Sequence, residues 1–271
     1  MTRIIVITSG KGGVGKTTTT SNIGMSLAGL DKKVLLIDAD VGLRNLDLLL
    51  GMENRIIYTG VDVIAERCRL EQTLIHDKRQ PNLTFFPLSS NATKLPITKE
   101  DFQQLINKLE PKYDFILIDS PAGIDDGFQT AVYPASEAVI VVTPEVGSIR
   151  DADKVIGILE TKELSEVRLL INRIRPKMIR LENMMSIEDV TDILGIPLIG
   201  VVPDSERVII ASNRGEPLVL ESNLSGPGKA FEETAKRLNG EKVEFGDFDF
   251  VPSMNPVKRI LKNFISRSDD N

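Results

Sequence analysis

The chain has 271 residues, enough for one large α/β domain or two small ones. Its 39 acidic and 33 basic residues give a net charge of −6. This charge argues against non-specific electrostatic binding to nucleic acid, so no nucleic acid partner is expected. Cys68 and His76 are each the only residue of their type, which disfavours disulfides within the chain, CxxC metal sites and histidine-based triads; both are interpreted as structural.

The N-terminal residues carry no pattern typical of a targeting segment, because the apolar run at residues 3–8 begins almost at the first methionine. No apolar run in the sequence approaches the roughly 18 to 20 residues that span a bilayer. We therefore expect a reducing, cytoplasm-like compartment.

Short apolar runs alternate with amphipathic segments along the chain. The apolar runs predict strands at residues 3–8, 33–38, 82–88, 114–119, 137–143, 167–173 and 197–203. The segments between them predict helices that include residues 16–30, 101–109, 149–160 and 186–194. Because the strands are apolar on successive residues, they suit a sheet covered on both faces. The alternation predicts an α/β fold with a doubly wound, mostly parallel sheet flanked by helices.

The first predicted strand runs into a glycine-rich loop. Residues 10–17, GKGGVGKT, match the pattern G-x-x-x-x-G-K-[ST] between a strand and a helix, which is the setting of a phosphate-binding P-loop. Glycines let backbone N–H groups turn inward around phosphate oxygens, and the following helix points its positive end at the same anion. The residues predicted to bind nucleotide here are Lys11, Gly12, Gly13, Val14, Gly15, Lys16, Thr17 and Thr18. The alternative is a glycine turn in an unrelated fold.

The loop predicts a magnesium site as well as a phosphate site. Lys16 would reach the β- and γ-phosphates, and the Thr17 hydroxyl would ligate Mg²⁺. Asp38 and Asp119 each end an apolar strand, at the edge of an open α/β sheet where ligands bind, and carboxylate oxygens suit Mg²⁺. Either acid could instead cap a following helix.

Lys11 is a second lysine in a loop that needs only one. Together with DADVGLRNLD (38–47), DSPAG (119–123), PEVGSIRDADKVIGIL (144–159) and a basic amphipathic tail, this lysine resembles the deviant Walker A ATPases, the ParA/MinD family, and within it the members that place division sites. The similarity covers nearly the whole chain. It implies a P-loop NTPase fold of the deviant Walker A type, with ATP and Mg²⁺ as ligands.

The resemblance implies three catalytic residues, Lys11, Lys16 and Asp40. Lys11 would reach across a nucleotide-sandwich homodimer to the partner's phosphates, and Asp40 would position the attacking water. A cation supplied in trans can change the rate of phosphoryl transfer by several powers of ten. A monomer would then be slow, and an ATP-bound dimer would hydrolyse ATP.

Other site residues follow from the same resemblance. Asp38, Arg44 and Asn45 would respond to the γ-phosphate, and Asp119 would hold the water shell of Mg²⁺. Gly123 would offer its backbone N–H to the γ-phosphate. The residues implied in adenine recognition are Asn172, Pro203 and Asp204, although Asn172 could also be a strand-end cap.

The C-terminal residues form a separate pattern. Residues 241–253 alternate acids with aromatics and predict a linker between an ATPase domain at 1–240 and a tail at 254–271. The tail has an apolar stripe at helical spacing and a basic polar face, typical of a helix that lies on anionic lipid. Its predicted membrane residues are Val257, Lys258, Arg259, Ile260, Leu261, Lys262, Phe264 and Ile265. A helix docked on the protein's own core or on a partner is the alternative.

The family resemblance also implies partners and a location. Arg150, Asp151 and Asp153 are expected to be exposed near the dimer edge, and Asp151 is the predicted contact for a MinC-like inhibitor of ring assembly and a MinE-like ATPase activator. A solvated first helical turn would explain these charges as well. The expected location is the cytoplasm or a plastid stroma, peripheral on the inner face of a membrane. The alternatives are a ParA-like partition ATPase acting on DNA and an ATP-using metabolic enzyme of the same fold.

Overall fold

The structure is a computed structural model that describes residues 1–40, 44–89, 97–162, 164–224 and 226–246. The second half of the predicted linker and the whole predicted membrane tail, including Val257, Ile260, Leu261, Phe264 and Ile265 with their basic neighbours, lie outside the described residues. Within those residues no helix has both the length and the apolar character needed to cross a bilayer.

The described residues form an eight-stranded sheet with the order β3-β4-β2-β5-β1-β6-β7-β8. Neighbouring strands are parallel except β3 and β4, which run antiparallel at one edge. The strands are β1 (Arg3–Thr8), β2 (Val34–Asp38), β3 (Ile75–His76), β4 (Leu83–Pro87), β5 (Phe115–Asp119), β6 (Glu137–Val142), β7 (Glu166–Ile174) and β8 (Leu198–Pro203).

Helices cover both faces of this sheet. They are α1 (Lys16–Gly29), α2 (Leu46–Leu49), α3 (Gly60–Ile64), α4 (Lys99–Leu109), α5 (Asp126–Val132), α6 (Val146–Glu160), α7 (Pro176–Arg180), α8 (Ile187–Leu194), α9 (Glu206–Arg214) and α10 (Gly226–Leu238). Short 3₁₀ turns lie at Glu53–Arg55, Leu70–Thr73, Glu110–Lys112 and Leu218–Leu220. The doubly wound, mostly parallel α/β fold predicted from the sequence is confirmed.

Two apolar cores lie on opposite faces of the sheet. On one face, strand residues pack against α4, α5, α6 and α8, with Phe102 and Phe128 fully buried. On the other face, α1 lies under α10, where Ile23 and Phe231 are buried. The sheet and a second helix enclose α1. Its first turn, which directly follows the phosphate loop, is therefore fixed in place by packing.

Arg237, near the end of α10, holds the chain that follows onto the domain. Its Nε donates to the Val243 carbonyl at 2.8 Å, one terminal nitrogen donates to the Glu244 carbonyl at 2.8 Å, and its guanidinium lies 3.9 Å from the centre of the Phe245 ring. The other terminal nitrogen donates to the carbonyl of Ile199, near the start of β8. Residues 241–246 form no helix or strand, yet these contacts fix 243–245 at the amino-terminal edge of the sheet.

Candidate functional site

The carboxyl-terminal edge of the sheet gathers the predicted phosphate and metal residues. Strand β1 lies between β5 and β6, and β2 pairs with β5. In that pairing Asp38 lies directly opposite Asp119. The loop after β1 turns tightly, with Gly13 at φ 79° and Gly15 at φ 100°, values that residues with a Cβ rarely adopt. The topology therefore brings two carboxylates and the glycine loop to one place.

Lys16, the first residue of α1, is buried within this site, with only 8% of its surface exposed. Its Nζ donates a hydrogen bond to the Ser9 hydroxyl at 2.9 Å. Burial lowers the pKa of Lys16, while the charges of Asp119 and Asp40 act in the opposite direction. A buried ammonium gains most from a strong anion beside it, so this position suits the phosphate role predicted for it.

Asp119 and Asp38 form a buried acidic pair. Asp119 accepts a hydrogen bond from the Thr20 hydroxyl at 3.2 Å and another from Thr17. Burial raises the pKa of Asp119 to about 7, and burial together with the charge of Asp119 raises the pKa of Asp38 to about 8. Adjacent carboxylates that resist ionisation together are the environment that a hard divalent cation neutralises. With the Thr17 hydroxyl at hand, the donor set fits Mg²⁺.

Asp38 also braces the chain that follows β2. One carboxylate oxygen accepts the backbone N–H of Asp40 at 3.1 Å, and the other accepts the backbone N–H of Leu46 at 3.2 Å. The predicted metal residue thus ties together the two ends of the segment that follows it. Asp38 can therefore connect the predicted Mg²⁺ site to the conformation of the segment between Asp40 and Leu46.

Arg44 lies in the same segment and is held by two partners. One terminal nitrogen of its guanidinium pairs with Asp47 at 2.9 Å, and the other donates to the Ser89 carbonyl at 3.2 Å. Asn45 immediately precedes α2 and makes no side-chain cap hydrogen bond there. These two residues, predicted to respond to the γ-phosphate, follow β2, which is separated from β1 and its phosphate loop by β5.

Lys11 lies apart from the buried cluster. Its Nζ pairs at 3.2 Å with Glu145, which directly precedes α6, and its side chain is 46% exposed. The two lysines of the loop therefore have different surroundings: Lys16 is enclosed with the acids, whereas Lys11 faces solvent at the rim. Glu145 lies in the segment 144–159 that contributes to the family resemblance, but it was not predicted as a site residue, since nothing in that segment indicates a contact with a residue 134 positions away.

Gly123 and Gly10 connect the loop to two neighbouring segments. The Gly123 N–H, predicted to serve the γ-phosphate, donates to the Ser9 carbonyl at 3.1 Å, so contact with a phosphate requires this bond to open. A Cβ at Gly10 would lie 2.2 Å from the backbone carbonyl carbon of Asp151 in α6. Asp151 itself is half-buried and pairs with Lys154 at 3.1 Å, whereas Arg150 and Asp153 are exposed as predicted.

The predicted base-recognition residues line one cavity beside the loop. Asn172, Pro203 and Asp204 surround a space of about 370 Å³ that opens next to Gly15 and Thr18. These residues come from the ends of β7 and β8, the two strands beyond β6 in the sheet.

Several other residues on this cavity were missed from the sequence, Arg175 and Phe231 among them. Arg175 pairs with Asp204 at 2.7 Å, and Phe231 of α10, which is almost fully buried, lies at the inner end of the cavity. Only the run of basic residues after β7 could have drawn attention to Arg175. The cavity has the position and composition of a pocket for a planar base whose phosphates rest on the loop.

Comparison with known proteins gives this geometry a family context. Residues 5–218 match the family model described as the CobQ/CobB/MinD/ParA nucleotide binding domain. A septum site-determining protein of the MinD type from Emiliania huxleyi is 69% identical over 269 residues, covering 99% of both chains. The septum site-determining protein MinD of Synechocystis is 55% identical over 263 residues, covering 96% of this chain and 99% of the relative.

Solved structures give the same result. The MinC:MinD cell division protein complex of Aquifex aeolicus contains a chain 48% identical to this one, with a TM-score of 0.84 and coverage of 90% of this chain and 98% of that chain. MinD of Pyrococcus horikoshii, complexed with Mg-ADP, is 32% identical with a TM-score of 0.80, covering 88% and 96%.

Proposed function

Because the chain belongs to the MinD branch of the CobQ/CobB/MinD/ParA nucleotide-binding family, we propose that it is an ATP-driven switch that dimerises, attaches to membrane and helps place a division site. The observation that carries the proposal is the unequal placement of the two loop lysines. Lys16 is buried beside two acids, and Lys11 is exposed at the rim. One nucleotide site needs the first lysine and leaves the second available to another molecule.

The nucleotide is proposed to be ATP with Mg²⁺. Lys16 and the loop N–H groups would hold the phosphates, while the Thr17 hydroxyl and the Asp119 carboxylate would hold the cation. The raised pKa of Asp119 supports this, since a buried acid gains from a divalent cation. The Mg-ADP complex of the Pyrococcus horikoshii relative supports the same ligands.

ATP hydrolysis is proposed to need two protomers. Lys11 of one protomer would neutralise charge on the other's phosphates, and Asp40, part-buried after β2, would orient the attacking water. Lys11 must leave Glu145 to reach the other protomer's phosphates. Breaking this ion pair costs little, because an exposed ion pair is worth about 0.2–1 kcal/mol. A phosphate group at the dimer interface is a stronger partner than that carboxylate.

Membrane attachment is proposed to follow dimerisation. The predicted tail at 254–271 combines an apolar stripe with a basic face, and a single weak anchor of this kind binds lipid marginally. Two tails in one dimer can raise apparent affinity by about 10² to 10⁴. Hydrolysis would then release both. The Aquifex aeolicus complex supports a MinC-like partner, which the attached dimer would recruit through the α6 surface near Asp151, and a MinE-like activator would speed hydrolysis.

Sedimentation with vesicles tests the proposal. The intact chain, a Lys11→Ala variant and a chain ending before Met254 are each mixed with vesicles of anionic or neutral lipid, in ATP or ADP with Mg²⁺. Of these three chains only the intact one should sediment, and only with anionic vesicles and ATP. Lys112→Ala is the matched control, since it removes a lysine that is 48% exposed and paired with Glu71, just before the start of β5 and so at the opposite edge of the sheet from the loop, and it should sediment like the intact chain.

Three results would reject parts of the proposal. Binding of the truncated chain would exclude the tail as the anchor, and binding of Lys11→Ala would separate lipid attachment from dimerisation. ATP-dependent binding to DNA in place of vesicles would favour a partition ATPase.

A further inference from the structure

Asn172 uses both ends of its side-chain amide within the protein. Its Nδ2 donates to the backbone carbonyl of Val14, in the middle of the phosphate loop, at 2.8 Å. Its Oδ1 accepts the backbone N–H of Arg173 at 2.9 Å. The side chain is therefore fixed in one orientation, although it is expected from family resemblance to read a base.

The identity of these partners settles the direction of the amide. A backbone carbonyl only accepts and a backbone N–H only donates, so nitrogen must face Val14 and oxygen must face Arg173. Arg173 has φ 59°, in the left-handed region, and is one of a few residues other than glycine with positive φ in the described chain. Such a conformation has a cost, and here it accompanies an N–H directed at the neighbouring side chain.

The loop lies against this amide more closely than a residue with a side chain would allow. A Cβ at Gly15 would lie 2.4 Å from Asn172 Nδ2. Val14 is 2% exposed and Asn172 is 7% exposed, so the bond between them is buried. A buried carbonyl that loses its donor carries the full cost of desolvation. The shape of the loop therefore depends on a residue 158 positions away, at the end of β7.

We propose that Asn172 is a positioning residue for the phosphate loop: its amide holds the Val14 carbonyl outward so that the neighbouring N–H groups stay directed at phosphate. Since Asn172 also lines the base cavity, the same amide connects occupancy of that cavity to the shape of the loop. This inference concerns nucleotide binding alone and stands whether or not the membrane switch holds.

A ligand that has phosphates but no base distinguishes positioning of the phosphate loop from recognition of the base, because only the first role affects its binding. Calorimetry measures binding of Mg-tripolyphosphate and of Mg-ATP to the full chain and to Asn172→Ala, Asn172→Asp and Asp204→Asn. Asn172→Ala should bind tripolyphosphate about tenfold more weakly, because one buried hydrogen bond is lost. Asn172→Asp should be weaker still, since it adds a negative charge beside the loop. Asp204→Asn alters the same cavity from β8 and should weaken ATP alone.

Hydrogen exchange keeps the test valid if the alanine variant folds poorly. In the nucleotide-free Asn172→Asp protein, amides of residues 10–17 should exchange faster, while amides of β1 and β5 keep their protection. The proposal is overturned if Asn172→Ala binds tripolyphosphate within about twofold of the unaltered chain, a change below one hydrogen bond. Unchanged exchange of residues 10–17 in Asn172→Asp would overturn it too.

Discussion

Two inactive variants should restore each other's ATPase activity if Lys11 acts across a dimer. Lys11→Ala removes the proposed trans cation, and Asp40→Ala removes the residue proposed to position water. In a mixed dimer, the protomer carrying Lys11→Ala keeps its own Asp40 and receives Lys11 from its partner. That site is complete. The second site lacks both groups and stays inactive.

The size of the effect follows from where Lys11 lies. Its pair with Glu145 spans 3.2 Å between side chains that are 46% and 59% exposed, so removing it should cost less than about 1 kcal/mol of stability. A cation supplied in trans is worth about 10³ to 10⁵ in rate, so Lys11→Ala should be nearly inactive while folding normally. Each mixed dimer has one working site out of two, so an equal mixture should recover activity far above that of either variant alone, and about a quarter of full activity where half of the dimers are mixed.

The assay is phosphate release from ATP and Mg²⁺ by each variant alone and by an equal mixture. The control is a mixture of Lys11→Ala with the double variant Lys11→Ala/Asp40→Ala, which contains no Lys11 and should stay inactive. Thermal unfolding of each variant checks that the folded structure persists. A mixture no more active than its components would refute action in trans and return Lys11 to its own site.

Two further predictions concern the loop and the acidic pair. Gly10→Ala should lower the free energy of unfolding by about 1–3 kcal/mol, because its Cβ would meet the Asp151 backbone at 2.2 Å, whereas Gly12→Ala meets nothing within 4 Å and should be nearly neutral in thermal unfolding. The pKa values of Asp38 and Asp119 are about 8 and about 7, against an ordinary 3.8. At a pH above 3.8 and below these raised values, the folded state therefore binds more protons than the unfolded state, and its stability falls as the pH rises. The unfolding temperature of the protein without Mg²⁺ and nucleotide should therefore fall as pH rises from 6 through these two pKa values.

Both predictions have clear contradicting results. Equal unfolding temperatures for Gly10→Ala and Gly12→Ala would mean that α6 can move away from the added Cβ at little cost. Asp38→Asn should flatten the pH dependence, since it removes one of the two raised pKa values. A variant with the same pH dependence as the unaltered chain would place the titrating group elsewhere.

Local patterns predicted most of the fold. Each of the seven strands expected from apolar runs is present within one residue of its bounds, because a strand buried on both faces leaves a continuous signal. The edge strand β3 was missed, since two residues paired antiparallel carry no period. Helices α2, α3, α5, α7, α9 and α10 were also missed, and α6 begins three residues earlier than predicted.

The site was predictable as a set of residues and less so as a set of contacts. The loop motif located Lys16 and Thr17, because phosphate chemistry fixes their spacing, and the ends of two apolar strands located Asp38 and Asp119. The bonds from Asn172 to Val14 and from Gly123 to Ser9 join residues more than a hundred positions apart, and no local pattern encodes such pairs. The same holds for Glu145 beside Lys11.

The contacts of Arg237 determine where the chain leaves the domain. They fix residues 243–245 beside the start of β8, at the edge of the sheet opposite the phosphate loop. In the proposed dimer, in which the two phosphate loops face each other, these exit points would therefore lie on the outer sides of the pair. The residues between each exit point and the predicted tail at 254–271 would then set how far apart the two tails can lie, so that linker length becomes a determinant of membrane attachment separate from the sequence of the tail.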